Sequence, residues 1–206
     1  MKKLGLSPDA PTIFFAANSR KLGQHEPAIF EYILESIECC RIKNNPNVIL
    51  RTHPGDPDLS RFVSRNGSIR VHMEEGRFDD AEHYANIVKH SNVTLCTGGT
   101  AALDTVANGN RVVYLGFDAG YEVDYWHSCL RHFEYEHNHE VLETGLIPVA
   151  NSFEELDKNI NSSLWGEKVS HEAEADFVNR FLTPLDGKSC ERIMHLIEKM
   201  LPQDQK

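Results

Sequence analysis

The chain has 206 residues, 40% of them hydrophobic and 25% charged, which is the range of a globular protein with a sizeable core and excludes a disordered one. A net charge of −10 argues against broad attraction to nucleic acid or anionic lipid, although local backbone amides still allow a phosphate ligand. No apolar run approaches the roughly eighteen residues of a membrane span, no apolar segment of the signal-peptide kind follows Lys2 and Lys3, and the five scattered cysteines lack CxxC spacing, as reduced thiols of a cytoplasmic protein do.

Residues 1–11 read as a linker-like segment, with Gly5, Ser7, Pro8 and Pro11 just ahead of the first strand. Such an opening is expected where a domain forms the second half of something larger. Residues 12–201 then alternate strand and helix. Thr12–Ala17 predicts a strand, and Glu26–Arg41 a helix with Phe30, Ile33, Leu34 and Ile37 on one face and Pro27 in its first turn. Strands follow at Val48–Thr52 and Ile69–His72, then a helix at Asp80–His90 that opens on acidic residues. A strand at Val93–Thr97 runs into a helix at Thr100–Asn108, which stops at Gly109. Further strands are predicted at Arg111–Leu115 and Leu146–Val149. Ser152 and Glu155 form a capping box for another helix. Ser189–Leu201 closes the domain with Ile193, Leu196, Ile197 and Met200 in phase, before the polar tail 202–206. The strand runs are apolar without strict alternation, as strands buried on both faces are, so the pattern predicts a doubly wound α/β domain with a mostly parallel sheet.

Four segments can carry chemistry. In Val93–Asp104 a strand meets Gly98-Gly99-Thr100 and a helix begins at once. Two readings stand: a tight turn with Thr100 as N-cap, or a cradle in which free helix-terminal amides, with the hydroxyls of Thr97 and Thr100, hold phosphate oxygens. It is neither GxGxxG nor a Walker loop. Arg51-Thr52-His53-Pro54-Gly55 leaves the second strand at its carboxyl end, where ligands of open sheets bind; the plainer alternative is a turn-capping histidine and an arginine paired to a surface acid. Asp186-Gly187-Lys188-Ser189 opens the last helix, either as a cap or as a second anion contact. Tyr125–His139 is rich in histidine, but its spacing does not suit zinc, and no metal is expected there. Asp118 or Glu122, after the fifth predicted strand, sits where a sugar hydroxyl could be met.

Read together, NVILRTHPGDP (47–57), HSNVTLCTGGTAALDTVANGNRVVYLGFD (90–118) and FLTPLDGKSCERIMHLI (181–197) resemble the C-terminal domain of GT-B-type transferases. The likeness is to the clan of capsule-polysaccharide transferases, CDP-glycerol glycerophosphotransferases and non-hydrolysing UDP-GlcNAc 2-epimerases. Where an epimerase usually has Asp-Ser-Gly-Gly and paired glutamates, this chain has Cys96-Thr97-Gly98-Gly99 and then Ala101-Ala102-Leu103-Asp104. The resemblance implies a Rossmann-like three-layer domain of about six strands, one half of a GT-B fold. It implies a UDP- or CDP-linked donor whose diphosphate meets Gly98, Gly99 and Thr100, with no cofactor or metal required. His53 would lie by the donor phosphates and stabilise the departing one, Arg51 beside it, and Asp186, Gly187, Lys188 and Ser189 would face the same cleft. A GT-B acceptor site comes from a second domain. The resemblance therefore leaves three arrangements: a piece of a longer transferase, a chain working with a partner subunit, or a nucleotide-sugar-binding module. A UDP-sugar epimerase-like isomerase is the further alternative.

Overall fold

The computed structural model describes residues 4–63, 68–166, 170–182 and 184–201. Met1–Lys3, Thr183 and the polar tail 202–206 lie outside the described residues. Six strands form one sheet: β1 (Thr12–Ala16), β2 (Asn47–Arg51), β3 (Arg70–Glu74), β4 (Val93–Cys96), β5 (Arg111–Leu115) and β6 (Val149–Ala150). Their order is β3-β2-β1-β4-β5-β6, and every neighbouring pair is parallel.

Alternation along each strand divides the core into two layers. Ile13 and Phe15 of β1, Val48 and Leu50 of β2, and Val113 and Leu115 of β5 pack with α1 (Glu26–Glu38) and α5 (Phe153–Trp165). On the other face Phe14 and Ile49 meet α2 (Ala81–His90), while Val112 and Tyr114 meet α3 (Thr100–Ala107) and α6 (His171–Phe181). Phe14, Phe15, Ile13 and Leu50 are fully buried, each contributing about 1.5–3 kcal/mol of apolar burial. That double burial explains the continuous apolar runs. The chain also forms α4 (Glu136–Glu143) and α7 (Ser189–Met200). Among the described residues no helix is long and apolar enough to cross a membrane, and all five cysteines are free.

Several expected boundaries move, for identifiable reasons. Helix α1 ends at Glu38, short of Arg41, because Cys40 turns to a left-handed φ of 59°. Strand β6 begins only at Val149, since Pro148 has no N–H and joins the sheet through its carbonyl, which accepts from Tyr114 N at 2.9 Å. Helix α6, which the apolar pattern did not suggest, is capped by Ser170 and buries Phe177. Helix α7 forms where expected, yet its in-phase Ile193, Leu196, Ile197 and Met200 are exposed. The segment expected to be a linker is fastened to the domain. Leu6 is buried against Phe14 and Ile49, and the Asn47 amide donates to the carbonyls of Ser7 (2.7 Å) and Ala10 (3.1 Å).

Candidate anion-binding site

The strand order turns from one direction to the other between β1 and β4, so the loops leaving their carboxyl ends diverge and open a crevice. A cavity of about 540 Å³ lies there, with Asn18, His53, Gly98, Gly99 and Thr100 in its wall.

The turn from β4 into α3 is built for this position. Gly98 has φ 77° and Gly99 φ 89° with ψ −177°, conformations that side chains other than glycine resist. Gly99 is itself the N-cap and makes no side-chain cap, so Thr100 is the first helical residue and does not cap the helix. The Thr100 and Ala101 amides lie at the positive end of α3 without intrahelical partners, while the Ala102 N–H already donates to the Gly99 carbonyl at 3.2 Å. A Cβ placed on Gly99 would meet nothing within 4 Å, so the space before these amides is open. Behind Gly98 lies the Asn138 amide, which donates to the His132 carbonyl at 2.7 Å. His132 lines the cavity too; its buried Nε2 has no hydrogen-bond partner, and burial, then Arg131 and His137, hold its pKa below the ordinary imidazole value.

His53 reaches the cavity from the end of β2. The Gly55 N–H donates to its Nδ1 at 3.0 Å, and its carbonyl accepts from Asp56 N at 2.9 Å. With Nδ1 acting as acceptor, the neutral ring carries its proton on Nε2. His53 therefore caps its own turn and still offers an N–H donor at the cavity.

Arg51 lines the same cavity with its charge already met. Its buried guanidinium donates to the Glu74 carboxylate, to Asp80 Oδ1 at 2.5 Å and to the Arg77 carbonyl at 3.4 Å. It ties β2 to the β3–α2 connection instead of presenting a free cation. The acceptor role also explains why Asp80, at the N-cap position of α2, makes no side-chain cap.

Thr97 is likewise committed. Its hydroxyl donates at 2.8 Å to Oε1 of Glu26, whose Oε2 accepts from Asn18 N at 2.7 Å. Burial pushes the Glu26 carboxyl up to about 7, against the Asn18 amide, the Thr97 hydroxyl and Arg61, which all pull it down. On the rim, Phe78 is 81% exposed, and Tyr84 donates to Asp104 at 3.0 Å.

The structure thus brings Arg51, His53, Thr97, Gly98, Gly99 and Thr100 into one wall. Asp186, Gly187, Lys188 and Ser189 are not part of it. The Asp186 carboxylate accepts from Lys188 N at 2.9 Å and from Arg192 with both oxygens, which closes that turn on itself. Asp118 accepts from Ser128 Oγ (2.6 Å) and Cys129 N (2.9 Å), and neither it nor Glu122 lines the cavity. Among the described residues no group of three metal-ligating side chains is close enough to hold an ion. Sequence reasoning missed Asn18, Glu26, Phe78 and His132. Only Phe78, an aromatic in the polar stretch Glu74–Asp80, carries a local signal.

This arrangement is a Rossmann-like α/β domain with a cavity at its switch point. No protein-family model matches the chain. No curated protein is significantly similar either. Solved structures do match. The H548A variant of the wall teichoic acid polymerase TagF is 16% identical, with a TM-score of 0.61 over 96% of this chain and 45% of that one. Methanocaldococcus jannaschii UDP-GlcNAc 2-epimerase in complex with UDP-GlcNAc and UDP is 15% identical, with a TM-score of 0.51 over 83% and 45%. The spinosyn rhamnosyltransferase SpnG with thymidine diphosphate is 12% identical, with a TM-score of 0.51 over 84% and 42%. The chain spans less than half the length of each. At these identities the likeness establishes the fold: a mostly parallel Rossmann-like domain equivalent to half of a GT-B structure.

Proposed function

We propose that this chain is the donor-binding half of a glycosyltransferase or glycerophosphotransferase of surface-polysaccharide biosynthesis. It holds the diphosphate of a UDP- or CDP-activated sugar or polyol. The observation that carries this reading is the uncapped N-terminus of α3, set behind two positive-φ glycines and opening on the cavity. Transfer to an acceptor hydroxyl leaves negative charge on the departing nucleotide phosphate. The Thr100 and Ala101 amides and the Nε2–H of His53 would stabilise that charge as it develops. Peptide amides and an imidazole can do this without a metal. Phe78 on the rim offers a face on which a nucleobase can stack. The acceptor and its general base come from a second domain or a partner chain.

Calorimetric titration with UDP, CDP, CMP and GDP tests the proposal. UDP or CDP should bind, and CDP should exceed CMP by about tenfold or more, since a second phosphate adds charge-assisted bonds. Ala101→Glu places a carboxylate before the first-turn amides without straining the backbone. It should abolish binding while leaving the melting temperature unchanged or slightly raised, because an acid in the first turn suits the helix dipole. Equal nucleotide affinity in parent and variant would place the anion elsewhere.

A further inference from the structure

We propose that Glu26 is a positioning residue of this cavity: by taking up one proton, its buried carboxyl releases the Thr97 hydroxyl to donate to a bound phosphate. The inference rests on the reading that the cavity takes a nucleoside diphosphate.

Glu26 lies one layer behind the cavity wall. It grips two wall residues from different loops, Asn18 after β1 through its N–H and Thr97 after β4 through its hydroxyl, the latter 71 positions away in sequence. The carboxyl is fitted closely, for a Cβ on Gly23 would overlap it. Charge near it is sparse. Arg61, on the 3₁₀ turn Leu59–Arg61, faces it while donating to the Gly23 carbonyl at 2.7 Å, and its Nη1 lies 3.6 Å from Asp56. The thiols of Cys96 on β4 and Cys129 on the 3₁₀ turn Cys129–Glu134 also lie within electrostatic reach of it. Both are pushed above the ordinary thiol value, first by burial, and both are therefore neutral near pH 7. Arg61, shared with Asp56, offsets the burial of Glu26 only in part, and the Glu26 carboxyl sits at about 7.

A hydroxyl has one hydrogen. While Glu26 is ionised, that hydrogen belongs to the carboxylate, and Thr97 turns only lone pairs toward an incoming phosphate. Once Glu26 is protonated, its own O–H donates to Thr97 Oγ1, and the Thr97 hydrogen is free for a phosphate oxygen. A phosphate in the cavity also repels a carboxylate behind the same hydroxyl, which favours the protonated form. Binding and proton uptake at Glu26 are thereby coupled. Affinity should rise as pH falls through 7, by up to about tenfold for each pH unit over which one proton is taken up.

The experiment is calorimetry of UDP or CDP binding, whichever binds, at pH 7.5 in buffers of differing ionisation enthalpy, with parent and Glu26→Gln. The nucleotide's own phosphate and every protein group other than residue 26 are common to both proteins, so the difference between them isolates Glu26. For each ligand bound, the parent should take up more protons than Glu26→Gln does, by about half a proton or more, and its Kd should depend more steeply on pH. Thr97→Val should lose the same increment. Should Glu26→Gln fail to fold, carbon-13 titration of the parent's Glu26 carboxyl, with and without nucleotide, reads the same coupling: an upward displacement on binding supports it. Equal proton uptake in parent and variant, or a carboxyl titration unmoved by ligand, overturns the inference and leaves the proposed function standing. Absence of UDP and CDP binding at millimolar concentration overturns both.

Discussion

Arg51→Met separates a structural arginine from a ligand-binding one. The Arg51 side chain is 5% exposed, against 14% for Glu74 and 23% for Asp80, so the substitution strands two largely desolvated carboxylates. Removing one partner of a buried pair costs about 3–5 kcal/mol. The low end applies here, because Glu74 keeps His72 at 3.0 Å and His83 at 2.8 Å and Asp80 is partly hydrated. A loss of about 3 kcal/mol lowers the melting temperature of a domain this size by roughly 6–12 °C. The effect should depend on pH. Arg51 holds the Asp80 carboxyl below its ordinary value, so this pairing stabilises the fold above the unfolded-state pKa and is lost as pH falls through the folded one. The deficit of the variant should therefore be full at pH 7 and shrink below about pH 4 as carboxylates protonate. Thermal unfolding followed by circular dichroism across that range measures it, with nucleotide titration of the still-folded variant at low temperature alongside. A variant that melts within about 2 °C of the parent while losing more than about tenfold in nucleotide affinity would show that the guanidinium serves the ligand, and the structural assignment would fall.

Gly76→Ala should destabilise by about 1–3 kcal/mol, since the new Cβ would overlap the Thr52 carbonyl oxygen and come within 2.9 Å of Pro54 N; nucleotide binding should weaken with it, because that peptide stretch carries His53. Phe78→Ala should reduce UDP or CDP affinity by about 1–3 kcal/mol, the worth of stacking one base, and leave inorganic pyrophosphate binding and the melting temperature unchanged. The Glu26 carboxyl, raised from 4.5 to about 7 chiefly by burial, binds its proton more tightly folded than unfolded. The parent should lose on the order of 3 kcal/mol as pH rises from 4.5 through 7, whereas Glu26→Gln should not. Melting curves at pH 5 and pH 8.5 should show the parent's advantage narrowing, and a constant difference would refute the burial argument.

Much of the sheet was legible because its strands are buried on both faces. Thr12–Ala16 and Val93–Cys96 are unbroken apolar or β-branched runs, and glycines mark the turn that follows β4. The cavity's most local part, Gly98-Gly99-Thr100, was readable for the same reason. Pairings made by tertiary contact were not. Nothing near Arg51 in sequence announces Glu74 and Asp80, 23 and 29 positions on, or tells a committed guanidinium from a free one. Glu26 entered only as the first residue of the expected helix Glu26–Arg41, and it is the buried partner of Thr97. Asp186-Gly187-Lys188-Ser189 shows the reverse case: a motif with the right residues whose local hydrogen bonds complete a turn outside the cavity. Helix α6 was missed although Ser170 followed by Glu172 and Glu174 is a legible start.

Every strand of the sheet ends on the same side, so the loops that meet at the crevice are held by the stiffness of hydrophobic layers they do not themselves compose. Asn18, His53, Phe78 and Thr100 come from four such loops or loop–helix junctions, while Phe15, Leu50 and Leu95 lie fully buried beneath them. Ligand preference and foldability are consequently written in different residues, and selection can revise the first without renegotiating the second.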